Sequence, residues 1–526
     1  MATFWTVLGS LSVVAAQTTI NLQLSSSIPV GHSDYVSPSF AGFGFEPSNL
    51  FSFTGYSIPN ELTFNLINNL VNYTGAPPHL RIGGNTEDYM IFDSSMMQYT
   101  WINNPDPSGQ GAFKPNSMLI GPKFFEVANR FPKGTPVTWG LNLAYEESDY
   151  IDQIVTMAKQ VVQNTPNLHL VSFEIGNEPD LYLQNGFRSG SWGGSPYIQD
   201  WTVRAQAIYD QVLKPAGIGA NFFEPACTAS TIGTSFQVHD LTQLGITQQA
   251  NGTDTSFLAS WNQHDYYYYI GVSAYPLTLD DFMTLTTTSD QFSAWVTQIQ
   301  QAEVTGYPYA LREMGVVGPI GLEGITNTFG AALWTLNFLL YSASLNITSV
   351  QLHQTDNSNA SAWQPINVYN RDPFVRPAYY GYAAFDQVLG PSCETQVAQY
   401  TNIQYPTNYA GKIAAYSIYQ AGKLQSVVML NTQIANVSES TKGSVQFTMK
   451  WPTSFAGQTL HLGTLTGAGT DATSGTTWNG ISYEQSGNGT PTQVSNTDQT
   501  VQIGSDGSAT VTIRDSQAVI ANLGAK

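Results

Sequence analysis

Residues 173–180 are the first whose types could do chemistry. They read Phe-Glu-Ile-Gly-Asn-Glu-Pro-Asp and follow an apolar run. A buried strand over residues 168–176 would deliver Asn177 and Glu178 to its C-terminal end, where Pro179 has no N–H to continue a ladder. Parallel barrels carry their active sites at that end of the strands. Glu178 is therefore a candidate acid or base, although an isolated Asn-Glu-Pro is also typical of a surface turn.

Two further motifs narrow the chemistry. Residues 80–93 read Leu-Arg-Ile-Gly-Gly-Asn-Thr-Glu-Asp-Tyr-Met-Ile-Phe-Asp, and residues 264–268 read His-Asp-Tyr-Tyr-Tyr. With residues 173–182, they resemble the second, sixth and fourth barrel strands of glycoside hydrolase family 79, the β-glucuronidase and heparanase family. Heparanase would have a second His where this chain has Asp265. The resemblance covers roughly residues 40–390 and implies a retaining hydrolase with carboxylates after strands four and seven.

The resemblance gives Glu313, in the Leu-Arg-Glu-Met-Gly run of residues 311–315, the role of nucleophile. Cleavage of a glycosidic bond needs one carboxylic acid to protonate the leaving oxygen and one carboxylate to attack or stabilise C1. Glu178 would be the acid, with its pKa raised by burial and by the charge of Glu313. A salt bridge between Glu313 and Arg312 is the alternative. Glu323 is the nearest competing carboxylate, but it lies in a Gly-rich loop.

Three residues are candidates to support these carboxylates. Arg81 and Tyr266, on strands two and six, would hold Glu313 ionised and oriented. Asn177 would hydrogen-bond the sugar 2-hydroxyl, a contact that strengthens in the transition state. The alternatives are an arginine tied to a helix C-terminus and a tyrosine in an aromatic core.

Other substrate contacts rest on the resemblance more than on the residues. Glu46, in the Phe-Gly-Phe-Glu-Pro run of residues 43–47, matches an acidic substrate-contacting position of the family, with a loop-capping carboxylate as the alternative. Tyr379 corresponds to a tyrosine that contacts the uronate carboxylate, unless its segment only begins the last barrel helix after Pro377. Trp192, among glycines, is a candidate sugar-stacking residue on a loop.

The elements that must position these residues alternate between strand and helix patterns from residue 40 to residue 390. The predicted strands span residues 41–45, 79–82, 136–143, 168–176, 218–223, 260–269, 309–312 and 347–353. The predicted helices include residues 61–73, 148–163, 198–213, 290–305 and 327–344. Eight parallel strands with interposed helices predict a TIM (β/α)8 barrel. The count places Glu178 after the fourth strand and Glu313 after the seventh.

Beyond residue 390 the composition shifts to Thr, Ser, Gly and Gln with short alternating runs, which predicts an antiparallel β-sandwich. Residues 19–24 alternate as a half-buried strand and are expected to join its sheet. We therefore predict four parts. They are a signal peptide over residues 1–16, an N-terminal segment over 17–38 that contributes a sandwich strand, the catalytic barrel over 39–390 and the sandwich over 391–526.

The N-terminus predicts secretion. Residues 4–16 form an apolar run that ends in Val-Ala-Ala, typical of a signal cleaved before Gln17, although the run lacks Lys and Arg and a buried strand is the alternative. Six glycosylation sequons agree with a secreted, extracellular glycoprotein. They begin at Asn72, Asn251, Asn346, Asn359, Asn436 and Asn488.

The charge balance limits the partners. The chain has 526 residues, with 18 Lys and Arg against 37 Asp and Glu and a net charge of −19. This disfavours nucleic acid, anionic membranes and highly sulfated polymers. No phosphate-binding loop and no metal-ligand spacing is present, so no cofactor and no metal are expected. Cys227 and Cys393 could form one disulfide or remain free thiols.

These observations predict a secreted, exo-acting β-glucuronidase that releases terminal glucuronate from glycans with retention of configuration. The preference for a uronic acid rests on the resemblance alone. The alternatives are a retaining β-glycosidase that acts on neutral sugars and a non-catalytic carbohydrate-binding protein on the same scaffold. The natural glycan, tolerance of 4-O-methyl glucuronate and the oligomeric state stay open.

Overall fold

The structure is a computed structural model that describes residues 19–111, 113–230, 233–368, 370–496 and 498–524. The predicted signal peptide over residues 1–16 lies outside this part of the chain. The strands up to residue 375 are β1 (Thr19–Gln23), β2 (Ala41–Phe45), β3 (Leu80–Ile82), β4 (Met90–Phe92), β5 (Ile102–Asn103), β6 (Met118–Ile120), β7 (Pro136–Leu141), β8 (His169–Ile175), β9 (Phe223–Glu224), β10 (Ala226–Thr228), β11 (Trp261–Tyr269), β12 (Tyr309–Gly318), β13 (Val350–Gln354), β14 (Trp363–Gln364) and β15 (Phe374–Val375).

The helices alternate with these strands. They are α1 (Leu50–Thr54), α2 (Glu61–Thr74), α3 (Pro122–Ala128), α4 (Tyr150–Asn164), α5 (Gly194–Ile208), α6 (Val238–Gln243), α7 (Leu279–Phe282), α8 (Leu285–Gln291), α9 (Ser293–Thr305), α10 (Phe329–Ser344) and α11 (Ala378–Leu389). Local signals set their ends, as α2 shows. Asn60 caps its first turn by accepting from Thr63 N at 3.2 Å, and Gly75 ends it with a φ of 72°.

The parallel strands form a barrel. They hydrogen-bond in the order β10, β11, β12, β13, β2, β3, β7, β8 and β9. Strands β9 and β10 are two halves of the fifth barrel strand, because β9 pairs with β8 and β10 pairs with β11. The barrel therefore has eight strand positions, and the predicted TIM-like fold with an added antiparallel β domain is confirmed.

The predicted fifth strand is wrong in position. Residues 218–223 were expected to form it, but only Phe223 belongs to β9 and the strand continues to Thr228. Pro225 has no N–H to donate and interrupts the ladder. The two residues after it, Ala226 and Cys227, have φ values of 79° and 49°, so the chain bends before β10.

Helix α10 is apolar around its whole circumference because it has protein on both sides. Every residue from Phe329 to Ala343 is buried. Toward the second domain, Tyr416 donates to Asn337 Oδ1 at 2.9 Å, and Gly467 lies against the ring of Phe329. Within the described residues, no helix is both long and apolar enough to cross a bilayer.

The C-terminal strands build two further sheets. They are β16 (Thr395–Gln399), β17 (Ile413–Gln420), β18 (Lys423–Asn431), β19 (Ser444–Lys450), β20 (Thr459–Thr466), β21 (Thr477–Trp478), β22 (Ile481–Ser482), β23 (Thr492–Gln493), β24 (Gln499–Gln502), β25 (Ser508–Arg514) and β26 (Gln517–Leu523). Strand β1 pairs in parallel with β19, which also pairs antiparallel with β25. The large sheet faces this small sheet across an apolar core. The predicted domain boundaries stay predictions.

The two cysteines are free thiols in the structure. Cys227 is buried in β10, and its thiol donates to Glu224 O at 3.3 Å. Cys393 is exposed just before β16. Of the two states that the sequence allows, a disulfide or free thiols, the structure therefore shows free thiols.

Candidate active site

The two predicted catalytic glutamates meet at the C-terminal mouth of the barrel. Glu178 follows β8 and Glu313 lies in β12, and both are buried. One carboxylate oxygen of each and a ring nitrogen of His264 all lie within 4.8 Å of one another. Retaining glycosidases hold their two carboxyl groups about 5–5.5 Å apart, too close for a water between them and the sugar. The separation seen here therefore suits direct attack by one carboxylate.

Glu178 is held by an unusual turn at the end of β8. Gly176 and Glu178 have φ values of 86° and 49°, so the chain reverses direction within three residues. A Cβ on Gly176 would lie 2.6 Å from the hydroxyl oxygen of Tyr182, which explains the glycine. The N–H of Glu178 donates to Cys227 O at 2.8 Å. The turn is thus tied to the neighbouring barrel strand.

Trp192 packs against this turn. Its indole N–H donates to Pro179 O at 2.7 Å, and its ring stacks on Tyr182 with centroids 5.7 Å apart. The guanidinium of Arg188 covers it at 4.9 Å from the ring centroid. The interpretation of Trp192 as a sugar-stacking residue is not supported, because these contacts give it a place in the scaffold.

Asp88 connects the motif of residues 80–93 to the Asn-Glu-Pro motif of residues 177–179. One oxygen of its buried carboxylate accepts from Leu143 N at 2.9 Å and from Ala144 N at 3.2 Å. The other accepts from Asn177 N at 3.0 Å and from the hydroxyl of Tyr182 at 2.6 Å. A single side chain therefore fixes the ends of strands three and four relative to each other.

Arg81 connects β8, the strand that precedes Glu178, to Glu313 in β12. Its side chain is fully buried, and Nε donates to Glu174 Oε1 at 2.6 Å. One terminal nitrogen donates to Glu313 Oε2, and the other donates to Asn177 Oδ1 at 2.8 Å. A Cβ on Gly83 would lie 2.5 Å from Arg81 Nε, so the glycine leaves room for the guanidinium. With no exposed surface, Arg81 positions Glu313 and Asn177 rather than touching a sugar.

Tyr266 contacts the carboxylate oxygen of Glu313 that Arg81 does not. Its hydroxyl donates to Glu313 Oε1 at 2.8 Å. The ring lies flat on Gly315, where a Cβ would be 1.7 Å from a ring carbon. The ring of Tyr269 lies over Gly318 in the same way and stands edge-on to Tyr266, with centroids 5.4 Å apart. The two glycines of β12 therefore let two tyrosines line the mouth.

His353, at the end of β13, was not predicted as a site residue. Its Nε2 lies 3.4 Å from Glu46 Oε2, and its Nδ1 lies 3.8 Å from Glu313 Oε2. Burial lowers the pKa of His353, but the charges of Glu313 and Glu46 outweigh burial and raise it above its usual value. The raised pKa favours the imidazolium form of His353, which lies between the carboxylates of Glu46 and Glu313. Its position at the C-terminal end of the predicted eighth strand could have identified it as a site residue.

Glu46 lies beside this histidine as the resemblance implied. Its Oε1 accepts from Thr86 N at 2.8 Å and also from the Thr86 hydroxyl. A Cβ on Gly84 would lie 2.5 Å from Glu46 Oε2, so the second glycine of the Gly-Gly pair leaves room for this carboxylate. Glu46 is 8% exposed, and its role as a substrate contact stays a prediction.

His264 was also missed. Its Nδ1 lies 3.5 Å from Glu178 Oε1 and 3.9 Å from Glu313 Oε2. Neither ring nitrogen has a hydrogen-bond partner among the described residues, although the side chain is fully buried. Burial and the charge of Arg81 hold the pKa of His264 well below its usual value, so the ring is neutral. The two-residue period that puts it on the same strand face as Tyr266 was the missed signal.

The surroundings shift the pKa values of the two glutamates in opposite directions. Burial, and then the negative charges of Glu313 and Asp180, raise the pKa of Glu178 well above its usual value. Burial alone would raise the pKa of Glu313 too, but the positive charges of His353 and Arg81 hold it well below its usual value. Glu178 is therefore a protonated acid at a pH where Glu313 is ionised. Such divergence is the pattern expected of a general acid paired with an ionised carboxylate.

Tyr379 is not part of this site, and its predicted contact with a uronate carboxylate is wrong. It lies in α11, where its side chain is fully buried and its hydroxyl donates to Leu66 O at 2.8 Å. Its ring packs edge-on against Tyr483 of the second domain, with centroids 5.0 Å apart. The interpretation that its segment only begins the last barrel helix is correct.

Neither Arg312 nor Glu323 takes part in the glutamate cluster. Arg312 pairs with Glu224 rather than with Glu313, with Nε 2.6 Å from Oε2 and Nη2 2.6 Å from Oε1. Ser349 and Gln351 also accept from this guanidinium, so Arg312 is engaged away from Glu313. Glu323 is exposed on the following loop and lies outside the cluster. Glu313 is therefore the strand-seven carboxylate that reaches the barrel mouth.

Comparison with known proteins supports a glycosidase. Residues 415–520 match the glycosyl hydrolase family 79 C-terminal beta domain. The chain is 28% identical to a β-glucuronidase of Aspergillus niger over 551 residues, 98% of each chain. It is 26% identical to a β-glucuronidase of Neurospora crassa over 522 residues, 91% of this chain and 90% of the relative.

Solved structures share the fold. A 4-O-α-L-rhamnosyl-β-D-glucuronidase from Fusarium oxysporum 12S, in complex with Rha-GlcA, superposes with a TM-score of 0.77 at 21% identity. The match covers 96% of this chain and all of that one. A family 51 arabinofuranosidase from Xanthomonas axonopodis pv. citri gives a TM-score of 0.61 at 12% identity, over 97% of this chain and all of the other.

Proposed function

We propose that this chain, a glycoside hydrolase of the family 79 type, is a secreted, exo-acting β-glucuronidase that retains the anomeric configuration. The observation that carries the proposal is the pair of buried glutamates, with oxygens within 4.8 Å and pKa values shifted in opposite directions. The glucuronate preference is supported by the two fungal relatives, both of them β-glucuronidases.

The first step forms a glycosyl-enzyme. The ionised carboxylate of Glu313 attacks C1, and the bond from C1 to the leaving oxygen breaks with its electron pair going to that oxygen. Glu178 transfers its proton to the same oxygen. Arg81 and Tyr266 keep the attacking carboxylate oriented by holding one oxygen each.

The second step releases the sugar. Glu178, now a carboxylate, takes a proton from water as the water oxygen attacks C1, and the bond between C1 and Glu313 breaks. Two inversions at C1 restore the original configuration. Asn177 is the proposed partner of the sugar 2-hydroxyl, because one hydrogen of its amide remains after it donates to Asn85 Oδ1 at 3.0 Å.

No metal is needed for these steps. Glu178, His264 and Glu313 have a spacing that could hold a cation, but the positive charges of Arg81 and His353 lie beside Glu313. A divalent cation there would meet two like charges. Turnover is therefore expected to be unchanged after dialysis against EDTA, and a loss that zinc or calcium restores would contradict this part of the proposal.

Side-by-side turnover of p-nitrophenyl β-glucuronide and p-nitrophenyl β-glucoside tests the sugar preference. We expect the glucuronide to be cleaved with the higher kcat/KM, and Glu313→Gln to abolish both activities. Faster cleavage of the glucoside would favour a neutral β-glycosidase. Binding of glycans without turnover of either substrate would favour a non-catalytic protein.

Exo-action is supported by the charge balance. An open cleft for a sulfated polymer should be rich in Lys and Arg, and the chain has 18 such residues against 37 acidic ones. We expect release of free glucuronate without shortening of the polymer. Efficient depolymerisation of heparan sulfate, followed by size-exclusion chromatography, would contradict it.

Secretion is proposed from the apolar N-terminal run. Expression of the whole sequence in a eukaryotic host is expected to release protein that begins at Gln17 and carries glycans at Asn72 and Asn251, which are both exposed. Retention in the cell with an intact N-terminus would contradict the proposal.

A further inference from the structure

A second cavity lies on the catalytic face of the barrel, outside the glutamate cluster. It has a volume of about 460 Å³ and is lined by residues of the loop after β12 and of the loop after β13. These loops follow the strands of Glu313 and His353, and they touch where Asn359 N donates to Ile320 O at 2.7 Å. The residues that shape it include Glu323, Asn357, Asn359, Arg371, Phe374 and Arg376. Its volume is within the range of small-molecule sites, roughly 300–1,000 Å³.

Two guanidinium groups lie on one ring in this cavity. The central carbon of Arg371 is 3.4 Å from the ring centroid of Phe374, and that of Arg376 is 4.9 Å away. Arg376 is 5% exposed, and it donates to Ser361 O at 3.3 Å and to Gln364 Oε1 at 2.9 Å. Burial, and then the charge of Arg371, lower the pKa of Arg376 to about 10. Arg376 is therefore cationic at neutral pH.

Neither cation has an anionic partner in the part of the chain that the structure describes. No carboxylate oxygen of a described residue lies within 4.0 Å of Arg371 or Arg376. Glu323 lines the cavity but is exposed, and Glu484, which feels the charge of Arg371, accepts instead from Gly475 N at 2.8 Å. A buried cation with only neutral acceptors is costly unless an anion completes its coordination.

This arrangement stands out because the chain is acidic. Acidic residues outnumber basic ones by 37 to 18, yet Arg371 and Arg376 lie together without an ion pair to any carboxylate of the described residues. A guanidinium group binds a carboxylate with two parallel hydrogen bonds, so either arginine could bind one. Asn357 and Asn359 also line the cavity, and their side-chain amides suit sugar hydroxyls.

We propose that this cavity is an accessory subsite for the carboxylate of a second uronic acid unit in an acidic glycan, with Arg371 and Arg376 as its anion partners. The identity of the ligand as a glycan rests on the proposed function, whereas binding of the carboxylate does not. The subsite would let the enzyme prefer glucuronides that carry another acidic sugar.

Calorimetric titration of trigalacturonate, whose α-linkages the enzyme is not expected to cleave, tests the subsite directly. Arg371→Gln is expected to weaken binding at least tenfold, and the fully methyl-esterified trisaccharide is expected not to bind. Lys133→Gln is the matched control, because it removes one exposed positive charge from the loop before β7, at the opposite end of the barrel. Equal affinity of the wild type and Arg371→Gln would overturn the proposal, as would inorganic sulfate binding as tightly as trigalacturonate.

Two further measurements separate this inference from the proposed function. Arg371→Gln should cleave p-nitrophenyl β-glucuronide within about twofold of the wild-type rate; failure of the wild type to cleave it would refute the proposed function and leave the binding result intact. A glycan on Asn359 would fill the cavity, so mass spectrometry of the secreted protein must find Asn359 unmodified. Full occupancy would overturn the subsite.

Discussion

The hydroxyl of Tyr266 donates a 2.8 Å hydrogen bond to Glu313 Oε1, while Arg81 holds the other oxygen. Because each oxygen has its own donor, the Glu313 carboxylate cannot rotate freely, and its ionised form is stabilised. Tyr266→Phe should lower kcat/KM about 10- to 100-fold, since a hydrogen bond to a charged group contributes about 1.5–3 kcal/mol. Steady-state kinetics with p-nitrophenyl β-glucuronide measure this.

Gly315→Ala tests whether the position of the Tyr266 ring matters as well as its hydroxyl. A Cβ at residue 315 would lie 1.7 Å from the Tyr266 ring and would displace the tyrosine without removing its hydroxyl. If the loss arises through Tyr266, adding Gly315→Ala to Tyr266→Phe should cost less than the two separate losses combined. Fully additive losses would show that the glycine matters for another reason.

The pH profile should be a bell with its maximum in the acidic range. The active form has Glu178 protonated and Glu313 ionised. Because the pKa of Glu313 is lowered, activity should persist well below the usual range of a glutamate. Activity should fall as pH rises through the raised pKa of Glu178. A maximal kcat/KM above neutrality would contradict these assignments.

His353→Gln should move the acid limb of that bell. Removing the imidazolium removes a positive charge that lies 3.8 Å from Glu313 and holds its pKa down. The acid limb should therefore shift upward by about one pH unit, with Glu46→Gln as a comparison that leaves the histidine in place. An unchanged acid limb in His353→Gln would show that this histidine is not cationic in the free enzyme.

His264 should contribute to binding the reacting sugar. Its neutral ring lies beside both glutamates, and neither ring nitrogen has a hydrogen-bond partner among the residues that the structure describes. A substrate hydroxyl can therefore supply the missing hydrogen bond. We expect His264→Ala to reduce kcat/KM by about tenfold or more, corresponding to about 1.4 kcal/mol. His461→Ala, in β20 of the second domain, is the control, and equal kinetics of the two variants would refute the role.

The ion pair beneath the site should matter for stability. Arg312 and Glu224 are buried together, and Ser349 and Gln351 also accept from the guanidinium. Glu224→Gln should destabilise the barrel by about 3–5 kcal/mol, because it leaves a buried charge without its partner. Differential scanning calorimetry should show a lower barrel transition, whereas Asp506→Asn at the exposed Lys450 pair should leave the melting temperature nearly unchanged.

Local patterns predicted the barrel well where they were not interrupted. Strands one and four were found to within a residue at each end, because apolar runs between turn signals mark buried parallel strands. Strand six was found as closely although polar residues interrupt it. Strand five was misplaced because Pro225 splits it, and hydrophobicity does not report a bend at Ala226 and Cys227. Residues 327–344 were predicted as a helix, and the structure forms α10 over Phe329–Ser344, where Asn337 pairs with Tyr416.

The site was only partly predictable. Glu178, Glu313, Asn177, Arg81, Tyr266 and Glu46 lie together because the motifs place them at strand ends. His264 and His353 were missed because histidines are scattered in the sequence and only the closed barrel brings these two to Glu313. Tyr379 was misassigned because sequence does not show which face of α11 is covered by the second domain.

Stereochemistry tests the central claim, that Glu313 attacks C1 while Glu178 supplies the proton. Glu178→Ala should still cleave substrates with good leaving groups slowly, and azide should convert them to the β-glycosyl azide; Glu313→Gln should be inactive with or without azide. The most direct measurement is proton NMR of the first product that the wild-type enzyme forms from p-nitrophenyl β-glucuronide. The account predicts that the β-anomer of glucuronate appears first and then mutarotates, and an initial α-anomer would contradict it.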